Sequence, residues 1–172
     1  ILISARVHPG ETPSSYALEG LVRALTNKSD LRSQLLLRFF NFKIVPMLNP
    51  DGVEHGHYRM DIYGQNLNRY YNNAHPLSSN TAVDLDLDIC LEVAYGALQS
   101  LEQLMFYFDL HAHPARKGCF MYGNALSDFV SQVENYVFCK LMALNTRYFE
   151  YSCCNFSKKH MKMKDRFEEL TK

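Results

Sequence analysis

Two rhythms of apolar and polar residues alternate along the chain. "ILISA", Ile1 to Ala5, is a short β-branched apolar run, the pattern of a strand covered on both faces. "TPSSYALEGLVRAL" then places Ala17, Leu18, Leu21, Val22 and Leu25 at helical spacing. Thr12 suits its N-cap, and Pro13 suits the first helical position, where a missing N–H costs nothing. A second, shorter helix is expected in "SDLRSQLLLRFF", and a strand in "FKIVPML", ended by the turn signal "NPDG". From Gly52 to Tyr71 the chain is polar and irregular, as functional loops are. Residues 81 to 104 carry a helical pattern, "MFYFDLH" reads as a third strand and "GCFMYGN" as a fourth. Ser127 to Thr146 predicts a helix with Val130, Val133, Val137, Leu141 and Leu144 on one face. The tail after Phe156 is basic and weakly patterned.

Strands alternating with helices imply an α/β fold with a mostly parallel sheet. Ligands of such sheets gather beyond the carboxyl ends of the strands. His8 and Glu11 follow the first strand, "NPDG" follows the second, and His111 closes the third.

Composition narrows the function classes. The 172 residues make one domain, taken as 1–172, with 18 basic and 18 acidic side chains and a formal net charge of zero. No global field draws the chain to nucleic acid or membrane, and the apolar runs are too short to span a bilayer. The chain opens on a strand-like run without a basic leader and without Met, which reads as a piece of a longer protein lacking a signal peptide. Five cysteines (Cys90, Cys119, Cys139, Cys153 and Cys154) contain no CxxC pair, so buried thiols in a reducing compartment are expected rather than a disulfide framework or a cysteine zinc site.

The candidate chemistry is metal-dependent hydrolysis. A hydrolytic zinc site has three protein ligands and one open position, and two histidines with a glutamate form one common set. His8 and Glu11 stand at His-x-x-Glu spacing in a bend, because Pro9 disfavours the helical region at His8 and Gly10 permits a tight turn. His111 would complete the set. His111 and His113 would share a face if the third strand continued through both, and Asp109 on that face could orient a ligand. The alternatives are a solvated turn at His8–Glu11 and a structural histidine at the strand end. In the middle loop, Arg59, Asn66, Asn68 and Arg69 stand out, with Asn66 and Asn68 alternating around Leu67. An Asn–Arg pair is suited to a carboxylate, since the planar guanidinium binds two oxygens at once.

"SARVHPGETPSS", "PMLNPDG", "GHYR", "NLNR", "FDLHAH" and "GCFMYGN", in this order, resemble the cytosolic carboxypeptidases, a branch of the zinc metallocarboxypeptidases of the carboxypeptidase A type. The likeness covers nearly the whole chain and is weakest over residues 73 to 104. It implies a three-layer α/β/α sandwich with a mixed, mostly parallel sheet, truncated at both ends. It implies one Zn²⁺ per chain held by His8, Glu11 and His111, with Arg59 polarising the scissile carbonyl. Asn68 and Arg69 would bind the substrate's terminal carboxylate. Asn66 stands where secreted relatives have an aspartate that holds the first zinc histidine. The implied activity is removal of C-terminal or branch-point glutamates from tubulin and other acidic tails by a cytosolic monomer, with nuclear targeting by the basic tail an option. The family's general-base glutamate would lie beyond Lys172, so this stretch alone is expected to hold metal yet turn over poorly.

Two other readings stay open. One is a zinc amidohydrolase acting on N-acyl amino acids, which shares His-x-x-Glu and a later histidine. The other is a module that binds acidic tails without cutting them. Arg116, Lys117 and "KKHMKMK" are candidates, by charge alone, for meeting a glutamate side chain.

Overall fold

The computed structural model describes residues 1–69 and 104–158. Strand β1 (Leu2–Ala5) is the middle of a three-stranded parallel sheet, flanked by β2 (Lys43–Val45) and β3 (Tyr107–Leu110) in the order β2-β1-β3. Ile3 lies opposite Ile44 and Phe108, and Ser4 opposite Val45 and Asp109. Because side chains alternate across a strand, Ile3 and Ala5 turn to one face. There they meet Leu18 of helix α1 (Thr12–Leu25), with Leu21, Val22, Ile44, Phe108 and Leu110 packed around them. The other face is polar behind the site: the buried Ser4 hydroxyl donates to Asp109 Oδ1 at 2.8 Å and lies 2.9 Å from the Tyr107 hydroxyl.

The α/β architecture and parallel pairing match the sequence pattern, with local corrections. Helix α1 spans the expected residues, but its N-cap is Glu11 and Thr12 is already helical. No side chain caps it, since the Glu11 carboxylate is turned to the histidines instead. Its buried face runs Ser14, Leu18 and Leu25, while Ala17 is exposed. Helix α2 (Leu31–Phe39) is capped by the Asp30 carboxylate, which accepts from the Arg32 N–H. "NPDG" is not a simple turn: Pro50–Glu54 form a short helix, α3. Asn49 caps it by accepting the Gly52 N–H at 3.0 Å, and its amide donates to the Val7 carbonyl. Pro50 at the first position and Asn49 before it are a helix start as much as a turn signal.

The chain divides into two compact units, Ile1–Ala112 and His113–Lys172. In the second, helix α4 (Phe129–Asn145) starts at the expected place, with Asp128 accepting the Ser131 N–H. The apolar face named from its spacing is not the buried one. Val130, Val133, Val137, Leu141 and Leu144 are all exposed, from 39% at Val133 to 73% at Leu144. The helix buries Cys139 instead, with Phe138, Met142 and Ala143 packing toward Phe149 and Phe156. "GCFMYGN" forms no regular strand and makes two isolated bridges, Cys119 to Phe149 and Tyr122 to Asn155. Of the four described cysteines only Cys139 is buried, and burial, with Cys154 beside it, pushes its thiol up to about 12. The helical pattern at 81 to 104 falls almost wholly outside the described residues, as do Cys90 and most of the basic tail.

Leu18 is the keystone of the apolar face of the sheet, 4% exposed. Leu18→Ala should lower unfolding free energy by about 2–5 kcal/mol, read as a shifted denaturation midpoint at unchanged slope.

Candidate metal centre

In a parallel sheet every strand delivers its carboxyl end to one edge. Here β1 lies between β2 and β3, so the chain leaves β1 for one side of it and later returns to the other. That reversal opens a crevice between neighbouring strand ends, the usual ligand site of such sheets. His8 and Glu11 follow β1, and His111 follows β3.

Between Ala5 and helix α1 the chain makes an abrupt bend. Arg6 takes a left-handed backbone, φ 58°, and is the one non-glycine residue to do so among those described. Val7 and His8 are then buried. The Gly10 N–H donates to the Tyr58 carbonyl at 2.7 Å, and the Glu11 N–H to the His8 carbonyl. Only glycine fits position 10, since a Cβ there would come 2.7 Å from the Tyr58 carbonyl oxygen. The same contact ties the bend to the loop that carries Arg59.

The result is one carboxylate between two imidazoles. His8 Nδ1 lies 2.7 Å from Glu11 Oε1, and His111 Nδ1 lies 2.9 Å from Glu11 Oε2. The rings stand 5.0 Å apart, and the three donor atoms all lie within 4.8 Å of one another. Each histidine is held from behind. His8 Nε2 faces Asn66 Oδ1 at 3.1 Å, and His111 Nε2 faces Asp109 Oδ2 at 2.7 Å. Asn66 Oδ1 also accepts the Asn68 N–H, which identifies it as the amide oxygen. Both rear partners are therefore acceptors, so each Nε2 must donate. In a neutral ring that leaves the Nδ1 lone pair facing a carboxylate oxygen. Three converging acceptors are stable only around a shared cation or proton, which is how zinc-ligating histidines with outer carboxylate or carbonyl partners are arranged. The donor set fits zinc.

The protonation pattern says the same. Burial alone would raise the Glu11 pKa, but hydrogen bonding with His111 and His8 and a bond from the Ala112 N–H hold it well below the ordinary carboxylate range. Burial alone would lower that of His111, but Asp109 and Glu11 raise it to about 9.

The remaining candidates are placed as follows. Arg59 Nη1 stands 3.7 Å from Glu11 Oε1, at the rim of the cluster. Asn68 and Arg69 lie on a short 3-10 turn, Leu67–Arg69, rather than on an extended stretch, so the expected alternation around Leu67 does not apply. Asn68 is buried and Arg69 is exposed, with Arg69 Nη1 donating to the Asn68 carbonyl. Asn66 links that turn to His8. The loop before it is organised by the Asp61 carboxylate, which accepts the N–H groups of Tyr63 and Gln65. β3 ends at Leu110, so His111 and His113 do not share a strand face. His113 belongs to the second unit, where its ring meets Phe120 edge-on. Arg116 is engaged there too, donating to the Cys153 carbonyl and lying over Phe120 and Tyr122.

Sequence reasoning passed over Arg6, Ser4 and Tyr107. Ser4 stands out only as a polar residue inside an apolar strand, and its partners lie more than a hundred residues away. Arg6 gives no signal at all in a linear reading, because backbone handedness is not written in residue type.

Comparison with known proteins follows the same line. The zinc carboxypeptidase (peptidase M14) family model matches residues 1–90. The chain is 33% identical to human cytosolic carboxypeptidase-like protein 5 over 99% of its length, and 36% identical to human cytosolic carboxypeptidase 6 over 94%. It spans 28% and 31% of those two proteins. A metallo-carboxypeptidase from Burkholderia cenocepacia superimposes with a TM-score of 0.73 over 94% of this chain and 42% of its own, at 26% identity.

Below about pH 9 the metal-free His111 carries a proton that zinc must displace. Zinc affinity should therefore climb about tenfold per pH unit as pH rises toward 9, then flatten. Calorimetry in buffers of different ionisation enthalpy should show the released proton. His111→Ala should bind zinc weakly and without that dependence.

Proposed function

This chain belongs to the zinc carboxypeptidase family, and from that premise we propose that it serves a metallocarboxypeptidase that removes glutamate from the carboxyl ends or branch points of acidic tails such as those of tubulin, in the cytosol. The observation that carries the proposal is the His8–Glu11–His111 cluster with an arginine at its rim. A zinc ion held there would supply a Lewis acid for the scissile carbonyl and bring the pKa of bound water to about 7.

The chain's own residues would supply carbonyl polarisation and substrate binding. Arg59, 3.7 Å from a ligand oxygen and 39% exposed, would donate to a substrate carbonyl oxygen as negative charge develops on it. Its guanidinium is permanently charged, so it needs no proton transfer to act. Asn68 and Arg69, joined to His8 through Asn66, would bind the terminal carboxylate. Two donors that both require a free carboxylate would make the activity an exopeptidase. No helix among the described residues is long and apolar enough to cross a membrane. The relatives are named as cytosolic carboxypeptidases, which supports the compartment and favours the peptidase over an amidohydrolase of N-acyl amino acids.

The test is glutamate release from a peptide ending in several glutamates, followed by mass spectrometry with and without zinc. Slow zinc-dependent release that disappears when the terminal carboxylate is amidated is expected. Equal cleavage of the amidated peptide, or faster turnover of an N-acyl amino acid, would sink the proposal. Arg59→Ala should lower the rate by about 10²–10³ while leaving zinc content unchanged.

A further inference from the structure

Of the three peptide units that link the ligands His8 and Glu11, the middle one, Pro9–Gly10, is held at both ends. Its N–H donates to the Tyr58 carbonyl at 2.7 Å. Its C=O accepts two bonds from one side chain: Arg6 Nη2 at 2.8 Å and Arg6 Nε at 3.1 Å. The third arm of that guanidinium, Nη1, donates to Ser15 Oγ at 2.9 Å, in the first turn of helix α1. Arg6 thus bridges the end of strand β1, the ligand-bearing bend and the helix that follows it.

The backbone of Arg6 makes the arrangement more pointed. At φ 58° a residue with a Cβ is in a conformation that glycine adopts freely and arginine does not. Where only backbone direction is needed, glycine would serve better. An arginine held there against its preference indicates that its side chain contributes something glycine cannot.

We propose that Arg6 is a positioning residue: its guanidinium locks the Pro9–Gly10 peptide so that His8 and Glu11 are aimed at one point before any metal arrives. The inference rests on reading His8, Glu11 and His111 as the ligands, and it adds a residue that touches neither metal nor substrate. A planar fork with three usable N–H directions is required, since one oxygen and one hydroxyl must be met from a fixed geometry. Lysine, with a single ammonium on a flexible stem, cannot meet both in that arrangement.

Zinc affinity of the full 172-residue chain, measured by chelator competition, tests this with Arg6→Gly and Arg6→Lys, alongside thermal melting and the Co²⁺ absorption spectrum. Arg6→Gly removes the clamp and relieves the backbone, so stability and metal binding should part. The expected result is a melting temperature that holds or rises, zinc affinity lower by about 10- to 100-fold, and an altered Co²⁺ spectrum. Arg6→Lys should lose affinity as well. If Arg6→Gly keeps the parent affinity and spectrum, the inference is overturned. Should Arg6→Gly fail to fold by circular dichroism, Arg6→Lys decides alone, and parent affinity there overturns the inference equally. His111→Ala separates the two levels: if it binds zinc as the parent does, the ligand reading itself fails. If it loses zinc while Arg6→Gly retains it, only the role of Arg6 falls.

Discussion

The site depends on one carboxylate shared between two imidazoles. Glu11 is bound by His8 on one oxygen and by His111 and the Ala112 N–H on the other. Neither histidine can turn to satisfy Glu11 differently, because Asn66 and Asp109 hold the rear nitrogens. Asp109 is in turn held by Ser4, which lies beside the Tyr107 hydroxyl. A polar network of this kind, buried at Ser4 and His8 and open at His111, is costly when partly satisfied and rigid when complete. Its members come from three separate places in the chain, and the parallel sheet is what brings them together.

The sheet does this through register. Pairing Ser4 with Asp109 sets the ends of β1 and β3 level, so His8 and His111 emerge side by side. A slip of one residue would send Asp109 to the other face, into the apolar packing with Leu18, and would turn His111 away. The packing of Ile3, Ala5, Phe108 and Leu110 against helix α1 therefore guards the geometry of the site as well as the stability of the fold.

The apolar pattern predicted elements better than it predicted faces. Helix α1 spans the residues its spacing indicates, and its Leu18 and Leu25 do face inward. Helix α4 also forms where expected, yet its valine and leucine stripe is exposed and Cys139 takes the inner position. Spacing places residues on a common face but does not say which face meets a neighbour. "NPDG" shows a related limit: Asn, Pro, Asp and Gly favour a turn and a helix start for overlapping reasons, and the bond from the Asn49 amide to the Val7 carbonyl favours the helix start here.

By itself the sequence determined the strand and helix segments, the α/β class, the residue types needed for a metal site and, through its ordered motifs, the family. Those are properties of residue type and spacing, which a linear chain carries in full. It offered His111 as the third ligand, while the local spacing at His8–Glu11 fitted a solvated turn as well as a ligand-bearing bend. Tertiary structure brought the three side chains together, because strand β3 ends at Leu110 and its pairing with β1 sets His111 opposite Glu11. It alone revealed Arg6, Ser4 and Tyr107, whose roles rest on backbone handedness and on contacts to residues distant in the chain, neither of which has a signature in local composition.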